Sequence, residues 1–251
     1  MCVTTTCIRR LSNDIKQLLK EPIENIYYEH DESNMLIGYL LIIGPNDTPY
    51  SYGYNFFTIN YPENYPFAPP KITYICSDGI IRYNPNLYIC GKVCLSIINT
   101  WQGEGWSSCQ TLHTLFLSIY SMVYTENPLI NEPGILINNK EVEKYNLLIE
   151  YKNIDFLILD ILDKINDNDV MFNVNFFKFK NIIIRKFIKN YDKILSNLNN
   201  LENKCTNINK IYIHTYNNSV VLNFDKLKTK LNNSYKKYSI IPDNNSIKNN
   251  N

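Results

Sequence analysis

Residues 83–101, YNPNLYICGKVCLSIINTW, place an Asn-Pro-Asn turn, two cysteines four apart and a glycine between them in one short stretch. Cysteine is the residue here with chemistry of its own: its thiolate can bind a metal, exchange with a disulfide or attack a carbonyl. Each use needs companions. A zinc site needs a second pair of ligands at matching spacing, which Cys90 and Cys94 lack, and His113 lies in an amphipathic run. A cysteine protease built on Cys94 needs His113 or His214 beside it, and nothing in the sequence pairs them. A Cys90–Cys94 redox couple stays open on spacing alone. So does acyl transfer, in which a thiolate takes an acyl group from another thioester and holds it, still activated, for an amine.

The elements that must position this stretch follow from hydrophobic period and turn residues. Ile8, Leu11, Ile15, Leu18 and Leu19 recur at helical spacing, with Thr5 or Thr6 as the expected cap and Pro22 as the stop. Four runs rich in β-branched and aromatic residues come next: NIYYEH near 25–30, MLIGYLLIIG at 35–44, YNFFTINY at 54–61 and KITYIC at 71–76. Their short links carry turn residues, so they read as an antiparallel meander. Pro62, Pro66, Pro69 and Pro70 impose a stiff, extended course before the fourth strand. Residues 77–110 show no sustained period, yet they are rich in apolar and aromatic side chains, which marks an ordered functional loop rather than disorder.

A helix is expected at roughly 110–124, with Leu112, Leu115, Phe116, Ile119 and Val123 on one stripe, ended by ENPLINEPG. Beyond 138 the pattern is helical: 141–165 is one candidate, the stripe Ile183, Phe187, Tyr191, Ile194, Leu198 and Leu201 another, and Phe224 to Tyr238 a third. The last dozen residues are polar and aperiodic, and a frayed tail is expected there.

Composition limits the function. With 45% hydrophobic residues, 20% charged residues and a net charge of +1 over 251 residues, the chain can bury a large core and has no general attraction for nucleic acid or anionic membrane. Seven cysteines, an odd number without repeating CxxC spacing, fit free thiols in a reducing compartment. MCVTTTCIRRLSND lacks the apolar core of a signal peptide, and the longest apolar run is about half of what a membrane-spanning helix needs. The expected location is the cytoplasm or nucleus.

YPFAPP at 65–70, NPNLY at 84–88, GKVCLS at 91–96, the insertion around Trp101 to Gly105 and NEPG at 131–134 together resemble the ubiquitin-conjugating (E2) family. The family pattern puts a glycine five residues and the active cysteine eight residues after the turn's second Asn; here Asn86 is followed by Gly91 and Cys94. The match is most similar to the E2 modules of the giant BIR-repeat inhibitor-of-apoptosis protein and the large E2/E3 hybrid enzymes, and it covers roughly residues 8–165. It implies an α/β protein of the UBC fold, an antiparallel four-stranded sheet flanked by helices. The core would be 1–165, followed by an α-helical C-terminal extension at 166–238 and a flexible tail at 239–251.

The resemblance implies that Cys94 accepts ubiquitin from the activating enzyme (E1) as a thioester and transfers it to lysine. Cys90 fits no family position, and Cys2, Cys7, Cys76, Cys109 and Cys205 are core or incidental surface thiols. Asn86 matches the family asparagine credited with stabilising the oxyanion; holding its own turn is the other use of an Asn there. Asn84 stands where most of the family has histidine. Ser96 replaces an acid common two positions after the cysteine, which leaves Glu126 or Glu132 to orient the attacking lysine, with Asn131 close to the family gate position.

The matching docking residues for E1 and ligases are Arg9, Arg10 and Lys16 on the first helix, Phe67 in the proline loop, and Ser107 to Cys109, with Ser108 and Cys109 at the turn. That turn lacks the Pro-Ala of ligase-binding members, so an E3 ligase enters only if the altered loop still accepts one. The implied partners are ubiquitin, E1 and protein substrates, with no nucleic acid, membrane, metal or cofactor, ATP being used by the E1. The rival is a catalytically silent E2-like scaffold that binds ubiquitin or another partner, although such variants typically lack the cysteine. His30, His113 and His214 are expected to be structural or surface residues.

Overall fold

The computed structural model describes residues 3–166 and 174–240; Cys2 and the tail from residue 241 onward lie outside the described residues. The first helix, α1 (Thr5–Lys20), is capped one residue earlier than expected, by Thr4, whose hydroxyl accepts from Cys7 N at 3.1 Å. Its buried line is Cys7, Leu11 and Asp14, whereas Ile8 and Leu19 of the expected stripe are exposed.

The four strand-like runs become β1 (Ile26–His30), β2 (Ile37–Ile43), β3 (Tyr54–Asn60) and β4 (Lys71–Tyr74), an antiparallel meander in the order β1-β2-β3-β4. Side chains alternate between the two faces of a strand, so the register sorts them into layers. Tyr28, Leu40, Phe57 and Tyr74 share one face. The Tyr28 ring lies 5.6 Å from that of Phe116, which puts α2 (Leu112–Val123) over this face. Tyr39, Leu41, Ile43, Tyr54 and Phe56 share the other face. That face is covered from far down the chain: Phe176 meets the rings of Tyr39 and Phe56 at 5.4 and 5.0 Å, and Tyr54 OH donates to Ile183 O at 3.2 Å. With both faces buried, β2 needs no polar alternation, and its YLLII run has none.

Between β4 and α2 the chain runs irregularly, with one 3₁₀ turn at Ser96–Ile98. After α2, Pro128–Asn131 form a second 3₁₀ turn. The expected helix at 141–165 is a rod with an unexpected middle: α3 (Lys140–Lys152), a π-helical stretch at Asn153–Asp160, then α4 (Ile161–Asn166). Asn153 sits where the winding changes, and its buried amide donates to Ser51 O at 2.9 Å. A Cβ on Gly53 would lie 1.8 Å from Asn153 Oδ1, so only glycine fits beneath it.

The later helices are α5 (Lys180–Lys204), whose Ile183, Phe187, Ile194, Leu198 and Leu201 are buried, and α6 (Phe224–Ser239). α6 is fixed to the rod by Tyr238 OH, which donates to Leu162 O at 2.9 Å, and to α5 by the Tyr191–Tyr235 ring stack at 3.9 Å. The expected helical extension is present, and it contains one further element. A hairpin of β5 (Lys210–Ile213) and β6 (Asn218–Val221) lies between α5 and α6. KIYI alternates, burying Ile211 and Ile213, and Asn217 takes the left-handed conformation (φ 51°) at the turn. Among the described residues, no helix is long and apolar enough to cross a membrane.

Candidate active site

The Asn-Pro-Asn turn is built around a buried amide. Asn84 Nδ2 donates to Tyr50 OH at 2.9 Å and to Val123 O at 2.7 Å, while its Oδ1 accepts from Asn86 N at 2.7 Å. These bonds seat the turn on the end of α2. Asn86 then meets the cysteine twice: Cys94 N donates to Asn86 O, and Asn86 Nδ2 donates to Cys94 O, both at 2.8 Å. Gly91 makes the return possible. Its φ is +87°, and a Cβ there would stand 2.9 Å from Tyr74 O.

Cys94 itself is 4% exposed, and its Sγ donates to Thr100 O at 3.1 Å. Thr100 is held by its own hydroxyl, which accepts from Leu95 N at 2.8 Å and donates to Leu95 O at 3.0 Å. Sequence reading passed over Thr100, although a threonine six residues past the cysteine in the same aperiodic loop was a candidate partner. Trp101, the next residue, is exposed.

Asn131 joins this cluster and Glu132 does not. Asn131 Nδ2 donates to Asn86 Oδ1 and to Met122 O, both at 2.8 Å. Both of its amide hydrogens are thereby used, one of them on Asn86. Asn86 retains a second Nδ2 hydrogen beyond the one given to Cys94 O, because a primary amide carries two donors. The expectation that Glu132 serves the attacking lysine is corrected: its carboxylate accepts from Tyr216 OH at 2.5 Å and lies 3.8 Å from the Arg82 guanidinium. Those two partners bind it on the side of the C-terminal hairpin. Glu126, the other candidate acid, lines a groove with Asn146 and Asn197 between α3 and α5.

The expected docking residues are exposed, with one exception. Arg9, Lys16, Phe67, Ser108 and Cys109 are exposed. Trp106 draws the proline loop to the 107–110 turn, its Nε1 donating to Pro66 O at 2.7 Å. Arg10 is not free to dock. Its Nε donates to Asp14 Oδ1 at 2.9 Å, its Nη1 to Ser108 O at 2.7 Å, and its Nη2 to Gln110 O. Arg10 therefore fastens α1 to the turn on which Ser108 and Cys109 sit.

Six cysteines are free among the described residues. Burial pushes the Cys76 thiol up to about 12 and also raises those of Cys7 and Cys205, which makes these three poor nucleophiles. Cys90 and Cys109 are exposed. Among the described residues, no group of three or more His, Cys, Asp or Glu side chains is placed to hold a metal ion.

The sheet, the Asn86–Cys94 exchange and the glycine between them point to a family, and comparison shows which. The family model described as ubiquitin-conjugating enzyme matches residues 10–151, more than half of the chain. The chain belongs to the ubiquitin-conjugating enzyme family. The Xenopus tropicalis protein named ubiquitin-conjugating enzyme E2 Z is 37% identical over 160 residues, covering 62% of this chain and 51% of the relative. The Arabidopsis thaliana putative ubiquitin-conjugating enzyme E2 39 is 41% identical over 131 residues, covering 51% of this chain and 41% of the relative. The chain spans about half the length of the curated E2 Z relatives it matches. Among solved structures, human ubiquitin-conjugating enzyme E2 G1 is 31% identical with a TM-score of 0.40, over 44% of this chain and 88% of that one.

Proposed function

We propose that the protein is an E2 ubiquitin-conjugating enzyme with Cys94 as its nucleophile and Asn86 as its oxyanion donor. In charging, the Cys94 sulfur bonds to the carbonyl carbon of the E1–ubiquitin thioester. The C–S bond to the E1 cysteine breaks, and that thiolate takes up the proton Cys94 gives up. In transfer, a lysine amine nitrogen bonds to the same carbonyl carbon, the bond to Cys94 Sγ breaks, and the nitrogen's proton goes to solvent. Charge gathers on the carbonyl oxygen between these events, and the unused Nδ2 hydrogen of Asn86 is the donor beside it.

The observation that carries this reading is the Met122–Asn131–Asn86–Cys94 chain of hydrogen bonds, which fixes an amide against the cysteine in a family whose chemistry is thioester transfer. Residues 1–165 act as the catalytic module and 166–238 as its extension. The partners are ubiquitin, an activating enzyme and protein substrates, with Arg9, Lys16, Phe67, Ser108 and Cys109 as the docking surface and an E3 ligase admitted if it tolerates the 107–110 turn. ATP is consumed by the E1, no cofactor takes part, and the cytoplasm or nucleus is the place of action. NPNLY, GKVCLS and NEPG support a kinship with the BIR-repeat and E2/E3 hybrid modules within the family.

A charging assay tests the reading: the full chain, E1, ATP and ubiquitin, read on a non-reducing gel beside Cys94→Ala, Cys90→Ala and Asn86→Ala. The expected result is a thiol-sensitive adduct lost only with Cys94→Ala. Its discharge to lysine should slow by about 10² to 10³ in Asn86→Ala. A folded chain that forms no adduct with ubiquitin or with ubiquitin-like modifiers and their own activating enzymes would return the scaffold reading.

A further inference from the structure

The tip of the β5–β6 hairpin is fastened beside the active segment on three sides. Asn218, buried, accepts at Oδ1 from Arg82 N at 3.1 Å and donates from Nδ2 to Ile80 O at 2.8 Å. Glu141, in the first turn of α3, accepts from His214 N at 2.7 Å, Thr215 N at 3.1 Å and Thr215 Oγ1 at 2.5 Å. Tyr216 donates to Glu132 and lies against the guanidinium of Arg82, 4.7 Å from ring centroid to Cζ.

Arg82 carries this grip onward. Its guanidinium lies over two rings, that of Tyr216 and that of Tyr88 of the cysteine segment, the latter at 3.9 Å. Its Nη2 donates to Pro85 O at 2.5 Å and faces Glu132 at 3.8 Å. Its Nε is buried without a hydrogen-bond partner, so the two rings do much of the work of placing it. Pro85 is the residue before Asn86, and Glu132 is the residue after Asn131. The hairpin thus holds one neighbour of each member of the Asn86–Asn131 hydrogen bond, from a point some 80 residues beyond the second of them.

We infer that the hairpin is a positioning device for the transfer step: Tyr216, through Arg82 and Glu132, fixes Asn86 and Asn131 relative to Cys94. The inference rests on the thioester chemistry proposed above. Tyr216, Arg82 and Glu132 are positioning residues, since none of them bonds to the Cys94 sulfur or to the free hydrogen of Asn86. Charging occurs with the E1 in place and exchanges one thioester for another at the Cys94 sulfur, which none of the three touches. Discharge to an amine depends on the Asn86 amide standing where charge develops, and a small misplacement there costs rate without costing affinity.

The test uses the full chain charged with fluorescent ubiquitin, the E1 then quenched, and free lysine supplied over a range of concentrations. Tyr216→Ala removes both ring and hydroxyl, and Tyr216→Phe keeps the ring on Arg82. Charging should stay within about twofold in both. Discharge of Tyr216→Ala at saturating lysine should fall about tenfold with the half-saturating lysine unchanged, and Tyr216→Phe should recover to within about threefold. Glu141→Gln loosens the turn without touching Arg82 or Glu132; its discharge should fall about threefold, and it carries the test if Tyr216→Ala does not fold. Discharge that ignores these changes, or charging and discharge that fall together, would overturn the inference and leave the transferase reading standing. An unaltered chain that never forms a thioester overturns both.

Discussion

Arg10→Met separates a docking arginine from a structural one. Asp14 is 3% exposed and accepts from Arg10 Nε at 2.9 Å and from Tyr65 OH at 2.6 Å. Without Arg10 an interior carboxylate keeps one donor. Breaking a fully buried pair in this way costs about 3–5 kcal/mol; the Arg10 side chain is 21% exposed, which admits water and screens the pair, so about 2 kcal/mol is the discounted figure. The bonds to the Ser108 and Gln110 carbonyls lie at an exposed turn where water can replace them, and add under about 1 kcal/mol. The sum is about 3 kcal/mol, or roughly 6–12 °C in Tm for a chain of this size. The assay is urea unfolding of Arg10→Met, Asp14→Asn and the double variant at neutral pH, with Arg9→Met as the surface control. The cycle should give a coupling near 2 kcal/mol, and Arg9→Met should stay within about 0.5 kcal/mol of the unaltered chain. A coupling below about 0.5 kcal/mol, or Arg10→Met matching Arg9→Met, would refute the argument and return Arg10 to the docking surface.

Two further outcomes follow from local geometry. Gly91→Ala should cost more than Gly79→Ala: both sit at positive φ, worth about 1–2 kcal/mol, but a Cβ at Gly91 meets Tyr74 O at 2.9 Å while one at Gly79 meets nothing within 4 Å. Equal losses in urea unfolding would contradict this. Burial works against a charge on Glu141, yet the hydrogen bonds from Thr215 and from the His214 and Thr215 amides prevail and hold it below the ordinary carboxylate value. A depressed folded-state pKa gives stability that is present above the ordinary value of about 4.3 and is lost as pH falls through the folded value. Hydrogen exchange at the His214 and Thr215 amides should therefore quicken as pH drops below about 4, after correction for intrinsic rates; a constant protection factor down to pH 2.5 would contradict the assignment.

What the sequence made legible was local. The four strands, α2 and the Asn86–Gly91–Cys94 spacing each rest on residues near one another in the chain, and the structure places them as expected. Arg10 and Glu132 were misread because their partners are remote: Arg10 bonds to carbonyls at 108 and 110, and Glu132 to a tyrosine at 216. No period in an exposed-looking Arg or Glu reveals a partner that only folding supplies. The hairpin was missed for a different reason. KIYI and NSVV are four residues each, set in Asn-rich sequence that lowers the apolar signal. YNNS between two β-branched runs was nonetheless a readable turn. The π stretch at Asn153–Asp160 begins at a residue bonded to Ser51, a remote contact that helical spacing does not report.

The covering of the sheet's second face has a consequence in time. Tyr39, Tyr54 and Phe56 are synthesised well before Phe176, Phe179 and Ile183, which shield them. Phe56 and Phe176 are 120 residues apart, which at about 5–20 residues per second is roughly 6–24 s of translation. For that interval the sheet's second face lacks the side chains that cover it in the finished fold. Slower translation of the stretch between β4 and α5 lengthens that exposure, and a lower soluble yield is the expected outcome.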